Sequence, residues 1–269
     1  MTCAAPARCR EERGAGDEIM TEQIIIGSRY CGPPSSANGG YACGAVARFI
    51  GDEAAVRLVK PPPLDTRLEL RETDGRVEAW HGGDRIAEGR RGTITAPAPE
   101  AVSLDRALEA VHAYPWREGH PFPTCFVCGP RREAGDGLRI FPGPVTGTSV
   151  VAAPWVPDAT VCGPDGNVRS ENVWAALDCP SWFGALVYGG ERGPALLGQL
   201  TASLHEMPRA GDRCVSVGWS RGREGRKIHA GAAIFSEFGD LLARSEAIWI
   251  ALDRLPEGVH ADPAYRPGV

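Results

Sequence analysis

The sequence predicts an α+β protein made of two similar halves, each an antiparallel sheet wrapped around one apolar helix. Each half holds a helical candidate too apolar to lie against water, over 38–50 and over 170–188. Short runs of alternating apolar and polar residues accompany each helix, with the two-residue period of half-buried strands. Turn signals such as Asp74-Gly75 and Gly82-Gly83-Asp84 separate those runs. A meander alone would leave one apolar face in water, and wrapping it around the helix buries both. Two such sheets joined edge to edge also remove an exposed strand edge from each half.

The first half opens with a strand over 23–26, followed by the punctuation Gly32-Pro33-Pro34-Ser35-Ser36. Its helix sets Ala42, Val46, Phe49 and Ile50 on one face at helical spacing. Strands are expected over 55–60, 67–72, 76–80 and 85–94. A Pro- and Ala-rich connection with a short amphipathic helix over 104–113 leads to the second half. There, strands are expected near 138–141 and 149–152, then the long helix, then strands over 194–206, 214–219 and 227–250, the last folded at Glu237-Phe238-Gly239-Asp240. The organisation is a disordered leader over 1–21, one unit over 22–97, a linker over 98–123, a second unit over 124–252 and a tail over 253–269. The repeat is structural rather than literal, since residue identity between the halves is poor.

The 269 residues are 43% hydrophobic and 23% charged, as expected of a chain that buries a real core. A net charge of −5 argues against a duplex nucleic-acid binder. No run approaches the ~20 apolar residues of a membrane span, and the leader lacks the apolar stretch of a secretory signal. The nine cysteines are odd in number and scattered through apolar contexts, which reads as free thiols in a reducing cytoplasm.

Several phrases resemble the hotdog thioesterase superfamily, in particular the type-II acyl-CoA thioesterases, which carry two hotdog folds in one chain. Asn38-Gly39-Gly40-Tyr41-Ala42-Cys43-Gly44 looks like their Gly-Gly helix start, and Val59-Lys60-Pro61-Pro62-Pro63-Leu64-Asp65 like their strand-entry segment. Cys125-Phe126-Val127-Cys128-Gly129-Pro130, ending in Gly137-Leu138, resembles the opening of many single hotdog domains. Ala175-Ala176-Leu177-Asp178 sits where the family places an acid on its central helix. The run from Gly225 through Ala247 resembles the superfamily's last two strands. The resemblance spans about residues 22–252 and implies two tandem hotdogs. It also implies an acyl thioester as substrate, carried by coenzyme A or an acyl carrier, and coenzyme A enters only as part of that substrate. Further assembly into an oligomer is common in such folds.

Thioester hydrolysis needs a polarised carbonyl and an activated water. Gly39 and Gly40 offer unencumbered N–H groups at a helix start, suited to a developing oxyanion; the plainer alternative is a loop-to-helix cap. Asn38 can serve as N-cap and side-chain donor. Asp178 lies in an otherwise apolar helix beside Pro180, which is expected to bend it. A lone carboxylate there costs several kcal/mol unless paired. It reads as a general base, with a structural carboxylate as the alternative. The corresponding helix of the first half shows Ala45, Val46 and Ala47, which predicts one asymmetric site at the seam.

The resembled enzymes add a Thr and a Gln on neighbouring strands to hold the water. In Thr201-Ala202-Ser203 the counterpart of the Thr is assigned to Ser203, while the Gln is not reproduced in Arg244-Ser245-Glu246-Ala247. Arg221, Arg223, Arg226 and Lys227 form a basic run that could grip the phosphates of coenzyme A or simply face solvent. Cys125 and Cys128 form CxxC with His120 upstream, but no second CxxC completes a four-ligand set, so no metal site is assigned. The leading expectation is an acyl-CoA thioesterase-like hydrolase. A catalytically inactive acyl-CoA binding module comes second, and hydratase or dehydratase chemistry, which would want an Asp/His pair, third.

Overall fold

A computed structural model describes residues 21–265. Residues 1–20 of the expected leader and 266–269 of the tail lie outside the described residues, and residue 21 already begins a strand. The elements of the first half are β1 (Thr21–Ile25), α1 (Gly39–Ala47), β2 (Glu53–Leu58), β3 (Arg67–Thr73), β4 (Arg76–His81) and β5 (Asp84–Arg91). The connection carries α2 (Leu104–Ala110). The second half comprises β6 (Gly143–Pro144), β7 (Val150–Trp155), α3 (Ser170–Tyr188), β8 (Ala195–Leu204), β9 (Cys214–Glu224), β10 (Lys227–Ser236) and β11 (Leu241–Ala251).

All eleven strands join one sheet in the order β1-β3-β4-β5-β2-β8-β11-β10-β9-β7-β6. The halves meet where β2 pairs antiparallel with β8, from Glu53↔Ser203 to Arg57↔Gln199. The sheet curls around α1 and α3, and one apolar core runs through both halves. A second cluster lies on the outer face of the second half, where Ala107 and Ala110 of α2 cover Val215, Val217 and Phe235. With both faces covered there, those strands read as nearly continuous apolar runs instead of alternating ones.

Two expectations need correction. The segment 138–141 is not a sheet strand: Leu138 and Ile140 donate to the carbonyls of Phe126 and Val127 (2.8 and 2.9 Å), and Arg139 takes φ +53. Its amides serve the CxxC loop, and the sheet edge falls to β6. Helix α1 ends three residues early, because Phe49 and Ile50 donate to Val46 and Ala47 in a tightened last turn that exits through Gly51 at φ +128. Helix α3 runs on through Pro180. The Ala176 carbonyl that the proline leaves without its helical donor accepts from Ser216 Oγ at 3.4 Å.

The two helices cross antiparallel at very short range. A Cβ on Gly40 would lie 2.5 Å from Asp178 Cβ and 2.6 Å from Trp174 O; one on Gly44 would lie 2.6 Å from Glu171 Cα. Gly44→Ala is therefore expected to destabilise the fold by about 1–3 kcal/mol through overpacking. Gly27→Ala, with φ −67 and no heavy atom closer than 3.9 Å, should stay within about 0.5 kcal/mol of the parent or gain slightly. Urea unfolding of the two variants measures the difference.

Candidate active site at the seam

Asn38 caps α1, accepting from Tyr41 N–H through Oδ1 at 2.9 Å. Its Nδ2 points the other way and donates to Asp178 Oδ2 at 2.8 Å, while Gly40 N–H donates to the same oxygen at 2.9 Å. One carboxylate oxygen of α3 is thus held by the first turn of α1, from the opposite half of the chain. The other oxygen, Oδ1, is buried and has no protein partner. Asp178 is only 2% exposed. Burial pushes its carboxyl up to about 7, against the opposing pull of Gly40 N–H and the Asn38 amide. The dipole of a short helix offsets roughly 1 kcal/mol of charge burial, so desolvation wins.

Asp178 faces a cavity of about 270 Å³. Its walls are mainly apolar and aromatic, with Trp116, Phe122, Trp182, Phe183 and Trp249 among them. Gly39 also lines it, and its N–H donates to no acceptor among the described residues. The C-terminal segment closes one side with Leu255, Pro256 and Val259. That segment is pinned by Asp262 N–H on Pro121 O at 2.7 Å and by an Arg131–Asp262 ion pair at 2.8 Å.

The fold therefore brings together Asn38, Gly39, Gly40 and Asp178. Gly40 N–H and the Asn38 amide are committed to the carboxylate, which leaves Gly39 N–H uncommitted among the described residues. Ser203 is not part of the site. It pairs with the exposed Glu53 across the seam, and its Oγ donates to Glu53 Oε1 at 3.1 Å. The neighbouring pair Ala54↔Ala202 faces the core, so Ser203 lies on the outer face. Thr201 shares that parity, two residues along β8, where Gln199 Nε2 reaches its hydroxyl at 3.4 Å. A run of alternating residues fixes which positions share a face but not which face is inward.

The basic run is also divided. Arg221 pairs with Glu246 and Arg223 with Glu191, each at 2.7 Å. Arg226 donates to Ala251 O at 3.1 Å, and Lys227 stands opposite Ile250. Ile250 and Leu252 line the cavity, whereas Arg226 and Lys227 neighbour them in the sheet without lining it.

Sequence reasoning missed a sulfur cluster on the cavity wall. Cys125, Cys128 and Cys179 are buried, with their Sγ atoms all within 4.8 Å of one another. His120 Nε2 lies 3.3 Å from Cys128 Sγ. Burial pushes the His120 imidazole down to about 4, keeping it neutral. Hydrogen bonds from Cys128 and Cys179 pull the Cys125 thiol below its ordinary range. The available signal was CxxC together with a third cysteine beside the helix acid, 54 positions from Cys125.

No protein-family model matches the chain, and no curated protein matches it in sequence. Solved structures do match its fold. The tesB protein of Mycobacterium avium subsp. paratuberculosis superposes with a TM-score of 0.56 at 13% identity, over 87% of this chain and 96% of that one. An acyl-CoA thioesterase II from Mycobacterium marinum gives 0.55 at 14% identity, over 88% and 94%. A hotdog-fold protein of unknown function from Alicyclobacillus acidocaldarius gives 0.58 at 11% identity, over 90% and 96%. Both halves of this chain take part in these superpositions, and the sheet runs unbroken across their seam: the chain has the double-hotdog fold of the type-II acyl-CoA thioesterases.

Proposed function

We propose that this chain hydrolyses acyl-CoA thioesters, with Asp178 as general base in a single site at the seam. The observation that carries this reading is the asymmetry of the carboxylate: Oδ2 is fixed by Gly40 and Asn38, while Oδ1 is left for a molecule in an apolar cavity. Asp178 takes a proton from water as the water oxygen attacks the thioester carbonyl carbon. Gly39 N–H, at the positive end of α1, receives the charge that grows on the carbonyl oxygen. Collapse breaks the carbon–sulfur bond, and the proton on Asp178 passes to the departing thiolate, giving a carboxylic acid and a free thiol. Arg226 and Lys227, next in the sheet to the cavity-lining Ile250, supply charge for the phosphates of coenzyme A. The solved thioesterases with this fold support the reading.

A second reading, an acyl-CoA binding module without turnover, has its own support. No side-chain hydroxyl or amide of β8 is among the residues that line the cavity, so β8 supplies no second hold on the attacking water. Cavity volume bears on substrate: about 270 Å³ falls just below the roughly 300–1,000 Å³ of ligand pockets, which favours short and medium acyl groups.

Free coenzyme A released from a panel of short, medium and long acyl-CoAs should show turnover that Asp178→Asn lowers about 10²–10⁴-fold. The amide keeps an acceptor for Gly40 N–H and Asn38 and removes a buried charge, so its melting temperature should be no lower than the parent's. Full turnover in Asp178→Asn would exclude the mechanism. Saturable acyl-CoA binding with no release from any substrate would establish the binding module.

Acyl length should respond to the wall. Trp116→Leu enlarges the cavity where the indole packs on Phe183 and His120. The ratio of kcat/KM for long over short acyl-CoA should rise at least several-fold, and an unchanged ratio would place the acyl chain elsewhere.

A further inference from the structure

We infer that Cys125, Cys128 and Cys179 form a three-thiolate site for a soft d10 cation, Zn²⁺, with the fourth coordination position facing the cavity. The inference does not depend on the hydrolase reading. The three sulfurs come from two segments that the fold positions independently, the loop 125–128 and α3, and all three residues line the cavity. Three of the four other described cysteines hydrogen-bond to nearby carbonyls. Cys31 does so on Thr124 O, Cys43 on Val56 O and Cys162 on Asp158 O, at 3.3, 3.7 and 3.6 Å. The three clustered thiols instead point at one another.

Distances fit the ion. A Zn–S bond of about 2.3 Å in tetrahedral geometry sets sulfurs roughly 3.8 Å apart. Cys125 and Cys179 are 3.8 Å apart, and Cys128 and Cys179 are 3.2 Å apart, so that pair must open modestly around a metal. The loop is preset for the task. Gly129 N–H donates to Cys125 O at 2.9 Å, and a Cβ on Gly129 would meet Cys125 N at 2.5 Å and O at 2.6 Å. This tight turn fixes the spacing of the first two sulfurs before any ion arrives.

Two side-chain donors face the sulfurs. Phe122 N–H donates to His120 Nδ1 at 2.8 Å, which assigns the ring proton to Nε2, the nitrogen 3.3 Å from Cys128 Sγ. His120 is thereby a donor to a ligating sulfur rather than a fourth ligand, the outer-shell role that tunes metal sites. Asn38 Nδ2 lies 4.0 and 3.9 Å from the sulfurs of Cys125 and Cys179, between them and the Asp178 carboxylate. Thiolate ligands select thiophilic ions over Mg²⁺ or Ca²⁺. Three protein ligands with a fourth position toward a cavity is the pattern of a zinc site that accepts an exogenous ligand.

The full-length chain, reduced, loaded with Zn²⁺ and desalted, should retain about one equivalent of metal by plasma emission spectrometry. Loading with Co²⁺ should give near-ultraviolet thiolate-to-cobalt charge-transfer absorption and the intense visible bands of four-coordinate cobalt. Cys128→Ser and Cys179→Ser should lose both signals, while Cys162→Ser retains them. Absence of the charge-transfer absorption in the wild-type protein would overturn the inference without recourse to any variant. So would zinc retention unchanged in Cys179→Ser, or a Cys128–Cys179 disulfide mapped in the zinc-loaded protein.

Discussion

Where α1 crosses α3, the turn of α3 that bears Asp178 lies against a glycine step of α1, and no side chain larger than hydrogen fits between them. Much follows from this contact. It brings Gly40 N–H to 2.9 Å from a carboxylate in the other half of the chain, a distance that no longer side chain at position 40 would permit. It also brings the helix cores of both halves together beneath the β2–β8 pairing, so one core spans the seam. Site and fold therefore rest on the same few atoms, and a substitution that loosens the crossing moves the carboxylate with it.

The charge held there is a liability that the fold only partly offsets. A fully buried carboxylate loses several kcal/mol of hydration. Two hydrogen bonds and the start of a nine-residue helix oppose that loss, yet the carboxyl remains displaced up to about 7. A hydrophobic residue of similar volume at position 178 would pack more favourably. Retaining an acid with one oxygen unsatisfied at a cavity is the kind of local cost that functional sites carry. The same turn of α3 carries Pro180, whose missing N–H would orphan a second polar group had β9 not placed Ser216 beneath the Ala176 carbonyl.

The parts legible in sequence were those written in local pattern. The apolar run that follows a loop of Gly, Pro and Asp delimits α3 as 170–188, and Asn-Gly-Gly marks the start of α1 because capping and close approach both demand those residue types. The acid stood out because an aspartate in so apolar a helix has few structural excuses. What sequence could not supply was parity and distance. Nothing in Thr201-Ala202-Ser203 tells which strand face looks inward, and the pairing with Glu53 turned Ser203 outward. The segment 138–141 carries strand-forming residues whose amides are claimed by Phe126 and Val127, partners set by tertiary packing. Cys179 joins Cys125 and Cys128 only because α3 lies along the CxxC loop.

Asp178 and Cys179 are consecutive on a helix, so their side chains leave it about 100° apart and would ordinarily face different surroundings. Here both reach one cavity, because α1 flanks α3 on one side and the CxxC loop on the adjacent side. Asn38 sits in the angle between them, with its amide nitrogen bonded to the carboxylate and within 4.0 Å of the Cys125 and Cys179 sulfurs. A single amide thus faces both groups, and any rise of negative charge on the sulfurs competes with the carboxylate for the same donor. The carboxylate and the sulfur cluster are consequently one electrostatic unit: what binds at the thiols changes how firmly Asp178 is held, and what occupies Oδ1 changes the donor available to sulfur.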